Sequence, residues 1–233
     1  MPVHTAIDDG VGTLTLDRPR RAHAYDRAHL LALQAGFAQL AAEVSVVVVQ
    51  STGDRAFCGG ADLKAMKRAT PLDALDLLSQ KVFAELADSP VVTIAAVQGA
   101  AIAGGCELAL ACDLRVVGPS ARFALPETAL GLIPAAGGCT RLPRLVGQSI
   151  ARQVILAGAT ISAEQAVRWG LAVDPVAGDA KAAALELART VARRDAVALR
   201  LAKQVLGADG RATSLGMERV AEAVLYARKD TPT

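Results

Sequence analysis

Glu107 and Glu127 are the residues of this sequence best suited to move protons. Each sits in apolar company, in Cys106-Glu107-Leu108-Ala109-Leu110 and in Phe123-Ala124-Leu125-Pro126-Glu127. Burying an unpaired carboxylate is costly, so such groups are usually paired or functional. Two glycine turns accompany them, Gly59-Gly60-Ala61 and Ala103-Gly104-Gly105. Glycine lets the backbone come close to something that a side chain would push away. The residues after Gly105 start a helical pattern, so the free N–H groups of its first turn face the same place. Two backbone donors from separate loops can stabilise developing negative charge, and two acids can transfer protons around a carbonyl. A Gly-Gly pair before a helix also serves as a tight packing turn, and the residues alone leave both readings open. No serine, cysteine or histidine nucleophile has a convincing partner. His4, His23 and His29 all fall within the first thirty residues and read as surface or packing residues.

The elements that must position these groups follow from periodicity. The run Val91–Val97, bounded by Pro90 and Gly99, predicts a strand covered on both faces, and it feeds the second glycine turn. Val44–Val49 is a second such strand, and the loop from Ser51 to Lys64 carries the first glycine turn beyond its carboxyl end. Ligands of open α/β sheets favour that end. Val3–Ile7 and Val11–Leu16 flank Asp8-Asp9-Gly10, a hairpin signal. Asp26 is the expected N-cap of an amphipathic helix marked by Leu30, Leu31, Leu33, Phe37, Leu40 and Ala41. Pro71–Ala87 predicts a helix with Leu72, Leu75, Leu78, Val82 and Leu86 inward. Leu114–Val117 and Ala121–Leu125 read as strands, and Pro126–Pro134 as a loop. A helix is expected from Ala135 to Val146, its dipole aimed at the same region as the glycine turns. Helical patterns follow at 148–157, 162–169, 180–193, 196–206 and 214–228. Hairpin, helix and parallel strand in that order point to an α/β fold, here with a helical last third.

Composition narrows the function classes. The 233 residues suit one domain without a linker, and 52% apolar residues supply a sizeable core. Aromatics are only 3%, which argues against sugar-stacking platforms, two-carboxylate glycosidases and single-stranded nucleic acid sites. A net charge of +2 does not suggest a nucleic-acid partner. No apolar run reaches the roughly 20 residues of a membrane span. Met1–Gly10 carries acids and lacks the apolar core of a signal peptide. Cys58, Cys106, Cys112 and Cys139 show no Cys-x-x-Cys spacing. They read as reduced core thiols of a cytoplasmic protein, with no metal site.

Four motifs in this order resemble the enoyl-CoA hydratase/isomerase, or crotonase, superfamily. They are Arg18-Pro19 followed by Ala24, Ala56-Phe57-Cys58-Gly59-Gly60-Ala61-Asp62-Leu63, Gly99–Asp113, and Phe123-x-x-Pro126-Glu127-x-x-x-Gly131-x-x-Pro134. The tract Gly158–Ala172 extends the resemblance, which covers Val3 to about Arg228. It implies a single crotonase-like domain: a spiral of ββα units to about residue 190, then a shortened helical C-terminal region at 191–233. It implies acyl-CoA thioester substrates and assembly as a homotrimer or homohexamer, with no permanently bound cofactor. The Ala61 and Gly104 N–H groups would form the oxyanion hole, and Glu107 and Glu127 would be the two catalytic glutamates, twenty positions apart. Arg21, Ala22, Ala24, Asp62, Leu63 and Lys64 would lie along coenzyme A, with Arg20 and Lys67 as further cations for its phosphates. Gly60 and Ala103 in the glycine turns, and Pro126, Leu132 and Ala135 around Glu127, complete the implied substrate-binding set.

Three positions depart from the family's common pattern. His23 stands where asparagine is usual, and Ala103 and Ala135 stand where glycine is usual. None removes a backbone N–H. The implied activity is hydration of a 2-enoyl-CoA by two glutamates. Double-bond isomerisation on the same site and acyl-CoA binding with little turnover stand as alternatives.

Overall fold

The computed structural model describes residues 3–66, 75–173, 178–208 and 211–229. In chain order the strands are β1 (Val3–Asp8), β2 (Val11–Leu16), β3 (Val46–Ser51), β4 (Ala56–Cys58), β5 (Val92–Val97), β6 (Ala100–Ile102), β7 (Leu114–Val117), β8 (Arg122–Ala124) and β9 (Ile161–Ser162). The α-helices are α1 (Arg27–Ala41), α2 (Leu63–Met66), α3 (Leu78–Asp88), α4 (Gly104–Ala111), α5 (Gly138–Val146) and α6 (Gln148–Ala157). They continue as α7 (Ala163–Arg168), α8 (Ala180–Ala192), α9 (Ala196–Gly207) and α10 (Arg211–Lys229). The strands form two sheets, ordered β1-β2-β3-β5-β7 and β4-β6-β8-β9. Among the described residues only the β1–β2 and β8–β9 pairs are antiparallel.

The chain crosses from the larger sheet to the smaller one and then runs through helix, repeatedly. β3 leads to β4, β5 to β6 and β7 to β8. This is a spiral of ββα units, as the motifs imply. The larger sheet is covered on both faces, which explains its unbroken β-branched runs. Val47, Val49, Ala95 and Val97 join the main core, while Val46, Val48, Ile94 and Ala96 face α8. Alternate residues of a strand point to opposite faces, so each valine run serves two cores. On α8 the inward residues are Ala180, Ala184 and Ala188, one per turn and fully buried. Small side chains at that spacing let the helix lie close to the sheet.

The first helix begins where the cap residue was read. Asp26 accepts from the His29 N–H, and Leu30, Leu33, Phe37 and Leu40 form the buried stripe. Leu31 falls off that stripe and is exposed. Leu75 is also exposed, contrary to the inward position expected, because it precedes α3, which starts only at Leu78. Leu72 lies outside the described residues. Of the four cysteines, Cys139 is exposed rather than in the core, on the open side of α5. The C-terminal helices sit outermost. The α9 helix buries no residue fully, and its Lys203 ties it to the sheet by pairing with Asp113 at 2.7 Å and donating to the Val91 carbonyl at 2.7 Å. No helix among the described residues is long and apolar enough to cross a membrane.

Candidate active site

The two glycine turns leave the carboxyl ends of neighbouring strands. β4 and β6 pair in parallel, with Ala56 beside Ala100 and Cys58 beside Ala101. Gly59-Gly60-Ala61 follows β4, and Ala103-Gly104 follows β6. A Cβ built on Gly60 would lie 3.0 Å from the Gly104 nitrogen, so the two turns touch. Gly60 itself has φ +85, a conformation that L side chains rarely adopt. Ala103 has φ 53, a left-handed conformation that favours glycine. The structure therefore brings Ala61 and Gly104, read from separate stretches of sequence, to one place.

The Gly104 Cα is closely packed by the protein itself. A Cβ on Gly104 would collide with the Tyr25 hydroxyl, and one on Gly105 with the Cys58 carbonyl oxygen. Both glycines are thus required by packing, whatever else their amides do.

Glu107 lies in the first turn of α4 and is only 3% exposed. Its Oε1 accepts the Ala136 N–H at 2.7 Å and the Gly138 N–H at 2.9 Å. The Gly138 N–H is a free donor of the first turn of α5, which begins at Gly138 and not at Ala135, and the Ala136 N–H belongs to the loop before it. Pro134 and the positive φ of Gly137 at +114 delay the helix while aiming its amides at the carboxylate. Burial pushes the Glu107 carboxyl up, while the two N–H bonds and the nearby Arg141 guanidinium oppose that. Arg141 also donates to the Ala136 carbonyl at 3.0 Å, bracing the turn that holds Glu107.

Glu127 opens a short 3₁₀ turn at Glu127–Leu130 and is 8% exposed. Its Oε2 is buried without a hydrogen-bond partner among the described residues. Desolvation, with the Glu107 charge as a smaller contribution, pushes its pKa up to about 7. Burial raises both carboxyls, but their surroundings set them apart: two amides and Arg141 partly offset the rise at Glu107, while Glu127 is pushed up to about 7 and is poised to exchange a proton near neutral pH.

The remaining expected residues divide. Arg20, Arg21, Ala22 and Lys64 are exposed, and Ala24 is half-buried. The Asp62 side chain is engaged within the protein, by Arg18 at 3.2 Å and by the Lys64 N–H at 2.9 Å. Lys67 lies outside the described residues, and Leu63 is the first residue of α2. Pro126 and Ala135 are half-buried and Leu132 is exposed. His23 is buried, and its Nδ1 accepts the Arg18 N–H at 3.0 Å, which makes it a packing residue of the basic loop. No cluster of three or more histidine, cysteine or acidic side chains among the described residues could hold a metal. Sequence reasoning missed Tyr25 and Arg141, whose contacts to the glycine turn and to the Ala136 loop are made through space.

Comparison with known proteins matches this arrangement to a family. The family model for enoyl-CoA hydratase/isomerase matches residues 6–230. The 2,3-dehydroadipyl-CoA hydratase of Escherichia coli is 42% identical over 195 residues, covering 83% of this chain and 76% of that protein. The short-chain-enoyl-CoA hydratase of Clostridium acetobutylicum is 36% identical over 205 residues, covering 84% and 77%. The crystal structure of enoyl-CoA hydratase from Bacillus anthracis superposes with a TM-score of 0.91 at 34% identity, covering 96% of this chain and 90% of that one. The chain belongs to the enoyl-CoA hydratase/isomerase family.

Proposed function

We propose that this protein adds water across the double bond of a 2-enoyl-CoA thioester, with Glu107 and Glu127 as its acid–base pair. The observation that carries this reading is the buried pair itself: one carboxylate held by two amides, the other with a buried Oε2 that has no hydrogen-bond partner among the described residues. The Ala61 and Gly104 N–H groups would donate to the thioester oxygen as negative charge moves onto it. One such donor is worth roughly 2.7–4 kcal/mol. Glu107, as the anion, orients a water and takes a proton from it as its oxygen bonds to the β-carbon. Protonated Glu127 gives its proton to the α-carbon, and the double bond is consumed. The thioester stays intact, and coenzyme A is part of the substrate rather than a resident cofactor. Exposed Arg20, Arg21 and Lys64 supply cations for its phosphates. The three buried cysteines suit a reducing compartment such as the cytoplasm.

The direct test compares crotonyl-CoA with a 3-enoyl-CoA in parallel assays. Loss of enoyl absorbance with the first supports hydration. Turnover of only the second transfers the site to the isomerase reading, and binding of both without turnover leaves a carrier of acyl-CoA.

The division of roles predicts mirrored pH profiles. Hydration needs Glu127 protonated, so its kcat should fall as pH rises through about 7. Dehydration of the 3-hydroxyacyl-CoA needs Glu127 ionised, so its kcat should fall as pH drops through about 7. Profiles that fall in the same direction would reverse or remove these assignments.

Assembly as a trimer, or a pair of trimers, is part of the same proposal. The outer helices α9 and α10 present Leu206, Val220, Val224 and Tyr226 to solvent, and a groove of about 400 Å³ runs between them beside Leu201, Val205 and Met217. An apolar face of this kind suits an obligate interface. Light scattering at micromolar concentration should give at least a trimer mass, and a monomer mass would refute it.

A further inference from the structure

We infer that Tyr25 is the positioning residue that sets the spacing between the two amide donors, joining the Gly60–Asp62 turn by its backbone and supporting the Gly104 turn by its side chain. The inference rests on the oxyanion reading of Ala61 and Gly104 given above and deepens it. Nothing in the basic loop marks this tyrosine as special, because its contacts lie far along the chain.

The backbone contacts come first. The Tyr25 N–H donates to the Gly60 carbonyl at 2.9 Å, and the Asp62 N–H donates to the Tyr25 carbonyl at 2.7 Å. Ala61 lies between these two bonds and pairs with Tyr25 as an isolated parallel bridge. With both neighbours fixed, the Ala61 peptide has little freedom to turn. This arrangement holds the first donor from one side only, leaving its outer face for a ligand.

The side chain reaches the other turn. The Tyr25 hydroxyl occupies the space in which a Gly104 Cβ would stand, so the phenol end packs directly under the Gly104 Cα. The ring meets Phe83 of α3 edge-on, with centroids 5.9 Å apart. The hydroxyl interacts with the side chain of Ser79, also on α3 and buried. Burial and the neighbouring Cys58, Glu107 and Glu127 push the Tyr25 phenol well above its ordinary pKa, so it stays neutral and protonated. A rigid, uncharged wedge therefore fixes Gly104 from beneath, while the same residue's main chain fixes Ala61. A shorter side chain would leave Gly104 unsupported, and a catalytic group misplaced by an ångström loses about 10²-fold in rate.

The test uses Tyr25→Phe, Tyr25→Leu and Ser79→Ala in the full chain. Two measurements are made on one preparation of each: kcat and KM with crotonyl-CoA, and the thioester carbonyl stretch of bound butyryl-CoA labelled at the carbonyl carbon. Butyryl-CoA has no double bond and cannot be hydrated. In the wild type the two donors should lower the carbonyl frequency relative to free butyryl-CoA. Tyr25→Leu should lose most of that shift and about 10²-fold in kcat, with KM changed by no more than about twofold. Tyr25→Phe keeps the ring but not the hydroxyl, and Ser79→Ala keeps the tyrosine but not its anchor. Both should fall between Tyr25→Leu and the wild type in shift and in kcat. A wild-type shift that persists undiminished in Tyr25→Leu and Tyr25→Phe overturns the inference alone. A wild type with no shift overturns the oxyanion reading and this inference together. Should Tyr25→Leu fail to fold, an unchanged shift in Tyr25→Phe and Ser79→Ala overturns it equally.

Discussion

Glu107→Gln and Glu127→Gln should each lower kcat for hydration by about 10²–10⁴-fold, the range for a positioned proton-transfer group. The amide keeps the size and planarity of the carboxyl and removes its proton chemistry. The two variants should nevertheless differ in stability. At position 107 the two donors from Ala136 and Gly138 now meet a neutral oxygen, so charge-assisted bonds become ordinary ones. Burial nevertheless raises the Glu107 carboxyl overall, so Glu107→Gln also removes a buried charge, and the weakened bonds should offset part of that gain. At position 127 no such offset exists, because Oε2 has no hydrogen bond to lose among the described residues. The folded-state pKa of about 7 lies above the ordinary value of 4.5. The folded protein thus binds this proton more tightly than the unfolded chain does. That stabilisation is complete below the unfolded pKa and is lost as pH rises through about 7. Glu127→Gln avoids the buried charge, so at pH 8 it should melt higher than the wild type while being far less active, a trade of stability for function. Melting curves and kcat on the same preparations check both statements. Hydration that survives in both variants contradicts the mechanism. Loss of hydration with retained isomerisation in Glu107→Gln would favour the isomerase reading.

Gly105→Ala and Gly104→Val should produce the largest structural effects. A Cβ on Gly105 runs into the Cys58 carbonyl, a backbone atom at the end of β4 that cannot swing aside. Overpacking a core costs about 1–3 kcal/mol and more where backbone must move. Gly105→Ala should therefore lower the melting temperature by roughly 5 °C or more, given that about 1 kcal/mol moves a domain of this size by 2–4 °C. Gly104→Val meets the Tyr25 hydroxyl, a side-chain end held by Ser79 and by buried surroundings. It should lose stability as well, and kcat/KM per folded molecule should fall by about 10²-fold as the amide moves. The packing role and the proposed oxyanion role coexist at Gly104, so a destabilised variant does not by itself remove it from the site. A variant with full specific activity per folded molecule does.

Much of this was legible before any coordinates. The β1–β2 hairpin follows from alternation and Asp9-Gly10, both with positive φ in the turn. Asp26 caps the first helix because a short acceptor side chain just before apolar periodicity can satisfy a free N–H of the first turn. Glu107 and Glu127 stood out because each is a charge in an apolar stretch. The strands β4, β6 and β9 were not legible: two or three residues carry no periodicity, and Ala56–Cys58 lies among glycines that read as loop. The start of α5 was misplaced for a related reason. The pattern of Ala135 and Ala136 is helical, while Gly137 turns the chain and presents the amides to Glu107. Tyr25 and Arg141 depend on contacts between segments distant in sequence, which local patterns do not record. Leu75 and Cys139 show the converse, since an apolar or thiol side chain is inside only if its element turns it there.

Crotonyl-CoA incubated with the protein in water labelled with heavy oxygen, followed by mass analysis of the product, tests the central claim most directly. The account predicts 3-hydroxybutyryl-CoA carrying the label on its β-carbon hydroxyl, with the thioester oxygen unlabelled and no free coenzyme A. It also predicts that Glu107→Gln and Glu127→Gln form this product at a small fraction of the wild-type rate. Bound crotonyl-CoA recovered unchanged, or label found instead in a free carboxylic acid, would contradict hydration by this site.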